Sequence, residues 1–290
     1  MNIAYITYEN IGKYTSSVED EDGILLAFLQ EKGLAITEEK WTDESVDWST
    51  YTHTLLKSPW DYFDKFPQFN DWLCSLEKLN IKLLNPYKTI RWNSDKHYLA
   101  DIQKEGLSVT PTQFCEKNTL PDLNLCFQIL GADELVIKPT VSGGSKNTFR
   151  FTKQTVLEVE VLIHLLLKEE AFMIQPFLKE IEDEGEWSFL FFNGEFSHSL
   201  LKKAKSGDFR VQHYLGGTIH PQNPSDEQIL IAKQDVDFFA KDCLYARVDG
   251  VYVNGTFNLM ELELLEPFLF LFTHPQAYEN YYKALKAMLS

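Results

Sequence analysis

The chain has 290 residues, 44% hydrophobic and 24% charged, and its 27 Lys and Arg against 43 Asp and Glu leave a formal charge of −16. This length gives room for about two domains of ~150 residues with real cores, and the composition excludes disorder, a disulfide-dense scaffold and a fibre. So large an acidic excess excludes holding nucleic acid mainly by phosphate neutralisation, though it leaves room for local cationic pockets.

The opening MNIAYITYEN lacks the basic start and apolar core of a signal peptide, and the longest apolar stretch, around residues 268–272, is too short to span a bilayer. A soluble, cytoplasmic protein with no membrane partner is expected. Cys74, Cys115, Cys126 and Cys243 form no CxxC pair and are expected as reduced, mostly buried thiols.

Residues 2–8 alternate and are rich in β formers, so a strand opens the chain, followed by a loop carrying the acidic run Glu19-Asp20-Glu21-Asp22-Gly23. Helical spacing over residues 24–32 stops at Gly33. Strands over 34–41 and 51–57 and a helix over 69–79 make residues 1–85 an α/β domain, without the GxGxxG of a dinucleotide site.

Asn85-Pro86 is a turn, and a helix is expected to open near Asn93-Ser94, with Lys96 in its first turn, and to end at Gly106. An apolar strand over 135–138 runs into Pro139-Thr140-Val141-Ser142-Gly143-Gly144-Ser145-Lys146. A strand over 149–152, a helix over 154–169 and a strand over 171–176 complete an α+β unit. Asn193-Gly194 and Asn254-Gly255 mark two hairpins with positive-φ turns. Between them Ser225-Asp226-Glu227-Gln228 has the capping-box pattern, and an amphipathic helix over 276–289 ends the chain.

Three constellations carry chemistry. The Gly/Ser loop offers backbone N–H groups to an anion with Lys138 leading into it, but it fails the GxxxxGK[ST] pattern and reads equally as a mobile surface turn. Glu261 and Glu263 share a strand face, and the hairpin brings Asp249 beside them. Buried unpaired, three carboxylates would repel, a cost that Mg²⁺ removes. The alternative is that both glutamates face solvent on an edge strand. Lys202, Lys203, Lys205 and Arg210 cluster around Ser206-Gly207-Asp208, either as a solvated basic loop or, with the other two features, as a phosphate clamp.

The order of the motifs resembles the ATP-grasp superfamily of carboxylate–amine ligases, in its glutathione-synthetase-like branch. The matching pieces are Asn93-Ser94-Asp95-Lys96-His97-Tyr98-Leu99, Val109-Thr110-Pro111-Thr112, Val136-Ile137-Lys138-Pro139 with its loop, and Gln175-Pro176-Phe177. They continue with Gly207-Asp208-Phe209-Arg210, Gly216-Gly217, Arg247-Val248-Asp249 and Glu261-Leu262-Glu263-Leu264-Leu265-Glu266-Pro267. Glu263 stands where glutathione synthetase has Asn. With Lys57-Ser58-Pro59-Trp60-Asp61-Tyr62 and Arg91-Trp92-Asn93, that variant resembles a subgroup that includes the cyclo-ligase of cycloserine biosynthesis.

The resemblance implies an ATP-grasp fold: an N-terminal α/β (pre-ATP-grasp) substrate domain at 1–85, a central lid subdomain at 86–174 and a C-terminal antiparallel-sheet subdomain with the metal site at 175–290. It implies that Lys96 and Lys138 hold the α- and β-phosphates and that Ser142, Gly143, Gly144 and Ser145 close on the γ-phosphate. Gln175, Pro176, Phe177 and Leu178 would read adenine, and Glu180 or Glu186 the ribose. Lys203 and Arg210 would neutralise the transferring phosphate, and Asp249, Glu261 and Glu263 would bind two Mg²⁺ ions, for which Mn²⁺ can substitute. The implied activity joins a small carboxylate to an amine through an acyl phosphate, releasing ADP and phosphate, in a chain compatible with a homo-oligomer. A phosphotransferase and a non-catalytic nucleotide-binding module are the alternatives. Ser58, Trp60, Asp61 and Tyr62 follow a strand at the end suited to a ligand crevice, or serve as core anchors. Asp20 and Asp22 would bind an ammonium or stay solvated.

Overall fold

The computed structural model describes residues 1–9, 20–205, 210–211 and 216–290. The first sheet is parallel, in the order β2-β1-β3-β4, from β1 (Ile3–Thr7), β2 (Ile36–Lys40), β3 (His53–Ser58) and β4 (Lys82–Leu83). All five residues of β1 are buried, because a central parallel strand is covered on both faces. Helix α1 (Glu21–Glu31) starts earlier than expected, since Asp20 caps it by accepting from the Gly23 N–H at 3.0 Å. Two acidic residues expected in a solvated loop, Glu21 and Asp22, are therefore helical; Glu19 lies outside the described residues. Helix α2 (Phe66–Lys78) follows β3.

Where one helix was expected around Lys96 there are two, α3 (Tyr87–Asn93) and α4 (Tyr98–Lys104), with Lys96 in the turn between them. Pro86 supplies the fixed φ that starts α3. The second sheet, antiparallel in the order β5-β8-β6-β7, comprises β5 (Gln113–Cys115), β6 (Glu134–Pro139), β7 (Phe149–Thr152) and β8 (Phe172–Pro176). Helices α5 (Leu123–Ile129) and α6 (Val156–Leu166) share its core around Leu135, Ile137 and Ile174. Strand β8 runs through the boundary expected at 174/175.

After the short α7 (Glu180–Asp183), the third sheet has the order β11-β10-β9-β12-β13. Its strands are β9 (Glu186–Phe192), β10 (Glu195–Lys203), β11 (Thr218–Gln222), β12 (Tyr245–Val253) and β13 (Thr256–Glu263), all antiparallel. Both hairpin turns have the anticipated positive φ: 48° and 78° at Asn193 and Gly194, 50° and 79° at Asn254 and Gly255. Helix α8 (Asp226–Phe239) opens on a complete Ser225/Gln228 capping box. Helix α9 (Ala277–Leu289) packs Tyr281 and Leu285 against one core shared by the first and third sheets, including Tyr5, Leu29, Leu55, Phe192 and Tyr245.

Polar staples join the sheets. The buried Asn85 amide donates to the carbonyls of Tyr245 (3.0 Å) and Leu264 (2.7 Å) and accepts from the Leu244 N–H at 2.8 Å. Asn93 donates to the Leu262 carbonyl at 2.7 Å and accepts from the Leu264 N–H at 2.9 Å. These bonds fix the end of β13 against β4 and α3. All four cysteines are free, and Cys74 alone of them is exposed. Among the described residues no helix is long and apolar enough to cross a membrane.

Candidate active site

A cavity of about 440 Å³ lies between the second and third sheets and reaches the N-terminal domain at Trp60, Tyr62 and Phe63. Its charged floor is one face of the third sheet, set by strand register. Asp249 lies opposite Glu261 and opposite Ser188, Arg247 opposite Glu263, and Lys202 opposite Glu186. Side chains directly opposite on one face sit close enough to interact: Arg247 and Lys202 each meet a carboxylate, whereas Asp249 and Glu261 are like charges side by side.

Asp249, 1% exposed, accepts from Ser188 Oγ (2.6 Å), Lys202 Nζ (2.9 Å) and the Arg247 guanidinium (2.8 Å from Nη2). Burial opposes its charge, but Arg247 and Lys202 win and hold its carboxyl well below the usual range. Burial pushes Glu186 up despite its 2.5 Å contact with Lys202 Nζ. Arg247 also closes on Glu263 and donates to the Phe268 carbonyl at 2.9 Å. Burial, with crowding by Asp249 and Glu261, outweighs Arg247 and pushes Glu263 up to about 7. Glu261 Oε1 is 3.0 Å from Lys96 Nζ, which also donates to the Ser142 carbonyl at 2.6 Å. Burial works against the Lys96 ammonium, yet Glu261, Glu266 and Glu263 together keep it above its ordinary value. Lys138 lines the cavity without an ion pair among the described residues, and burial lowers it.

The Gly/Ser loop forms the cavity's edge. Ser142 Oγ donates to the Pro139 carbonyl at 3.0 Å, and Gly144 and Ser145 have φ of 57° and 59°. Gly143 packs so closely on the Phe63 ring that a Cβ there would stand 2.8 Å from Cε1. Lys146 reaches Asp64 at 3.1 Å, docking the loop on the N-terminal domain. At the other end Val136, Phe177, Leu178, Ile181 and Met260 make an apolar wall beside Gln175 and Pro176, with the Gln175 amide donating to Thr112 Oγ1 at 2.9 Å.

Of the expected site residues, Lys96, Lys138, Ser142 to Ser145, Gln175 to Leu178, Glu186, Arg210, Asp249, Glu261 and Glu263 all line the cavity. Two do not. Glu180 sits in the first turn of α7, away from the cavity. Lys203 is exposed on the outer face of β10, and its neighbour Lys202 takes the inward position. The reason is a bulge: pairing runs Phe196↔Phe191 and then His198↔Leu190, so an extra residue flips the strand's parity. A straight count from the Asn193-Gly194 turn would have aligned Glu186 with Leu201 and put Lys203 on the same face. Ser206, Gly207, Asp208 and Phe209 lie outside the described residues. Sequence reasoning placed Lys202 only within the basic cluster and gave Arg247 and Glu266 no role of their own; the ion pairs of Lys202 and Arg247 follow from cross-strand register, whereas Glu266 lies past the end of β13.

The acidic set has the hard oxygen donors that suit Mg²⁺. Among the described residues no three of them are gathered into a preformed cage; each closes on Lys or Arg instead. In the N-terminal domain, Asp61 accepts from Trp41 Nε1 and Lys65, both at 2.7 Å, and so anchors the core. Asp22, partly exposed, pairs with the buried Lys57 at 3.0 Å and accepts from Ser58.

Two family models match the chain: the N-terminal domain of D-cycloserine synthetase over residues 3–85, and the ATP-grasp domain of prokaryotic glutathione synthetase over residues 125–267. The chain is 28% identical over 251 residues to the cycloserine biosynthesis protein DcsG of Streptomyces lavendulae, covering 79% of this chain and 80% of that one. The crystal structure of D-cycloserine synthetase DcsG superposes with a TM-score of 0.88 at 24% identity over all of both chains. D-alanine–D-alanine ligase from Bacillus anthracis in complex with ATP gives 0.71 at 16% identity, over 100% of this chain and 96% of that one. The ATP-grasp ligase PsnB, with a minimal-precursor variant, Mg and ADP, gives 0.65 at 12%, over 100% and 99%. These structural likenesses establish the fold.

Proposed function

Because the chain belongs to the ATP-grasp superfamily, we propose that it is an ATP- and Mg²⁺-dependent carboxylate–amine ligase that works through an acyl phosphate on a small amino-acid-like substrate. The observation that carries this reading is the charge pattern of one cavity. Five cations (Lys96, Lys138, Lys202, Arg210, Arg247) and five carboxylates (Glu186, Asp249, Glu261, Glu263, Glu266) line it among the described residues. Such a balanced site accepts about four negative charges of ATP when two divalent cations enter with it.

In this reading the N-terminal domain at 1–85 presents the acceptor, the second sheet and its Gly/Ser loop cover the nucleotide, and the third sheet supplies the charged floor. The apolar wall beside Gln175 to Leu178 takes adenine, and Glu186 takes the ribose. Lys96 and Lys138 hold phosphate oxygens. Lys202 and Arg210 stabilise charge on the transferring phosphoryl group, Lys202 taking the role expected of Lys203. Asp249, Glu261 and Glu263 would hold Mg²⁺, which supplies charge neutralisation and phosphoryl polarisation when bound.

A substrate carboxylate oxygen attacks the γ-phosphorus, and the bond to the β-phosphate oxygen breaks to release ADP. An amine nitrogen then attacks the acyl carbon, phosphate leaves, and the nitrogen loses a proton. Negative charge develops in both steps, so positioning and preorganised cations carry the catalysis. Residues 3–85 match the N-terminal-domain model of D-cycloserine synthetase, and that likeness favours ring closure within one substrate over joining two.

Hydroxylamine trapping tests the reading: with Mg²⁺-ATP and a panel of amino, hydroxy and ureido acids, an acyl phosphate yields a hydroxamate, whereas a stable phosphate ester does not. Metal-dependent ADP release unchanged in Glu261→Gln would count against it.

A further inference from the structure

Glu266 is the one carboxylate lining the cavity that carries no hydrogen bond or ion pair on its oxygens among the described residues. Lys96 is committed to Glu261, Arg247 to Asp249 and Glu263, and Lys202 to Asp249 and Glu186. The backbone at Glu266 is fixed from the N-terminal domain, since Trp60 Nε1 donates to its carbonyl at 3.1 Å. Its Oε1 is 3.6 Å from where a Gly143 Cβ would stand, and the Phe63 ring meets the same point at 2.8 Å. The group therefore sits where the Gly/Ser loop, β13 and the N-terminal domain converge. The wall that faces it from that domain is aromatic: Trp60, Tyr62 and Phe63.

An unpaired carboxylate beside aromatic faces complements a cation carried on a small organic molecule. The carboxylate supplies charge-assisted hydrogen bonds and the rings supply cation–π attraction. The cations that act on it, Lys96 and Arg247, are already engaged by Glu261, Asp249 and Glu263. Burial, reinforced by Glu263, pushes the empty group up to about 8, as expected for a carboxyl that lacks its counter-ion.

We infer that Glu266, backed by the aromatic wall of the N-terminal domain, is the anchor for the ammonium group of an α-amino-acid acceptor, and so a residue that determines acceptor class. This rests on the ligase reading. The ammonium held beside the Gly/Ser loop keeps its proton and takes no part in bond making; the contact orients the acceptor's carboxylate toward the transferring phosphate.

The test compares D- and L-alanine and D- and L-serine with their N-acetyl and desamino counterparts, by Mg²⁺-ATP-dependent ADP release and by calorimetric titration into protein saturated with Mg²⁺ and a non-hydrolysable ATP analogue. Free amino acids are expected to exceed both counterparts at least 30-fold in kcat/KM. Glu266→Gln should raise the KM for the preferred amino acid at least 10-fold, leaving the KM values for ATP and Mg²⁺ within about twofold. Glu266→Asp, which keeps the charge, should recover part of the loss. Equal use of an N-acetyl or desamino acid overturns the inference, as does a Glu266→Gln effect that falls on Mg²⁺ instead of the amino acid; either leaves the ligase reading intact. ADP release with no acid in the panel, together with no binding of the ATP analogue, overturns both.

Discussion

Replacing Lys202 by Met removes a cation that is 6% exposed and touches Asp249 Oδ2 at 2.9 Å and Glu186 Oε1 at 2.5 Å. Stripping one partner from a buried pair costs about 3–5 kcal/mol when the remaining charge is stranded. Here Asp249 keeps Arg247 and Ser188, and Glu186, already raised by burial, can take a proton. The lower end, about 3 kcal/mol, is therefore expected, which for a chain of this size lowers the melting temperature by roughly 5–10 °C. Losing one preorganised donor at the transferring phosphoryl group should also reduce kcat about 100-fold. Lys203→Met is the matched control: its side chain is exposed on the opposite face, so stability should stay within about 0.5 kcal/mol and turnover should hardly change. Thermal unfolding and coupled ADP release on both variants decide. Inactive Lys203→Met beside active Lys202→Met would refute the register argument and the assignment built on it.

Asp235 on α8 is 4% exposed with an unpartnered Oδ1, and burial moves it from 3.8 to about 7. The native state thus keeps a proton that the unfolded chain has lost, so stability falls as pH rises from about 4 to about 7, by at most on the order of 4 kcal/mol. Asp235→Asn should flatten that dependence in urea melts at pH 5 and pH 8; an unchanged slope would show the group is not titrating there. Gly143→Ala should lower kcat/KM for ATP about 10-fold, because its Cβ would meet Phe63 Cε1 at 2.8 Å, and Phe63→Leu should restore it. Gly250→Ala would set a Cβ 2.5 Å from the Asn258 carbonyl oxygen beside the β12–β13 bulge. A loss of more than about 3 kcal/mol is expected there, read as a fall in the urea midpoint.

Most of the fold was legible from local signals. Asn-Gly turns, the Ser225 capping box and the apolar strand at 135–138 are short-range features, and the structure follows them. The departures arise where long-range contacts decide. Helix α3 is held by Asn93 bonding a strand 169 residues away. Within the acidic run Asp20 is exposed, but Glu21 and Asp22 were misread because Lys57, and for Glu21 the Leu269 and Leu271 N–H groups at 2.8 Å each, provide distant partners for charges that look solvated in sequence.

Residue types at the site were legible; their facing was not. Each hairpin of the third sheet carries one extra residue between its turn and its charged positions, near Ser197 in β10 and at Met260 in β13. With a period of two, a single inserted residue exchanges the inner and outer sets. In β10 it brings Lys202 inward in place of Lys203, and in β13 it aligns Asp249 with Glu261 where a straight register would align it with Met260. Neither bulge leaves a mark in composition or motif order. The same two bulges determine which cations meet which carboxylates, and hence that Glu266, three residues beyond Glu263 and past the end of β13, falls outside the pairing scheme. A carboxylate excluded from the sheet's own charge pairing is the one available to a ligand that brings its own cation.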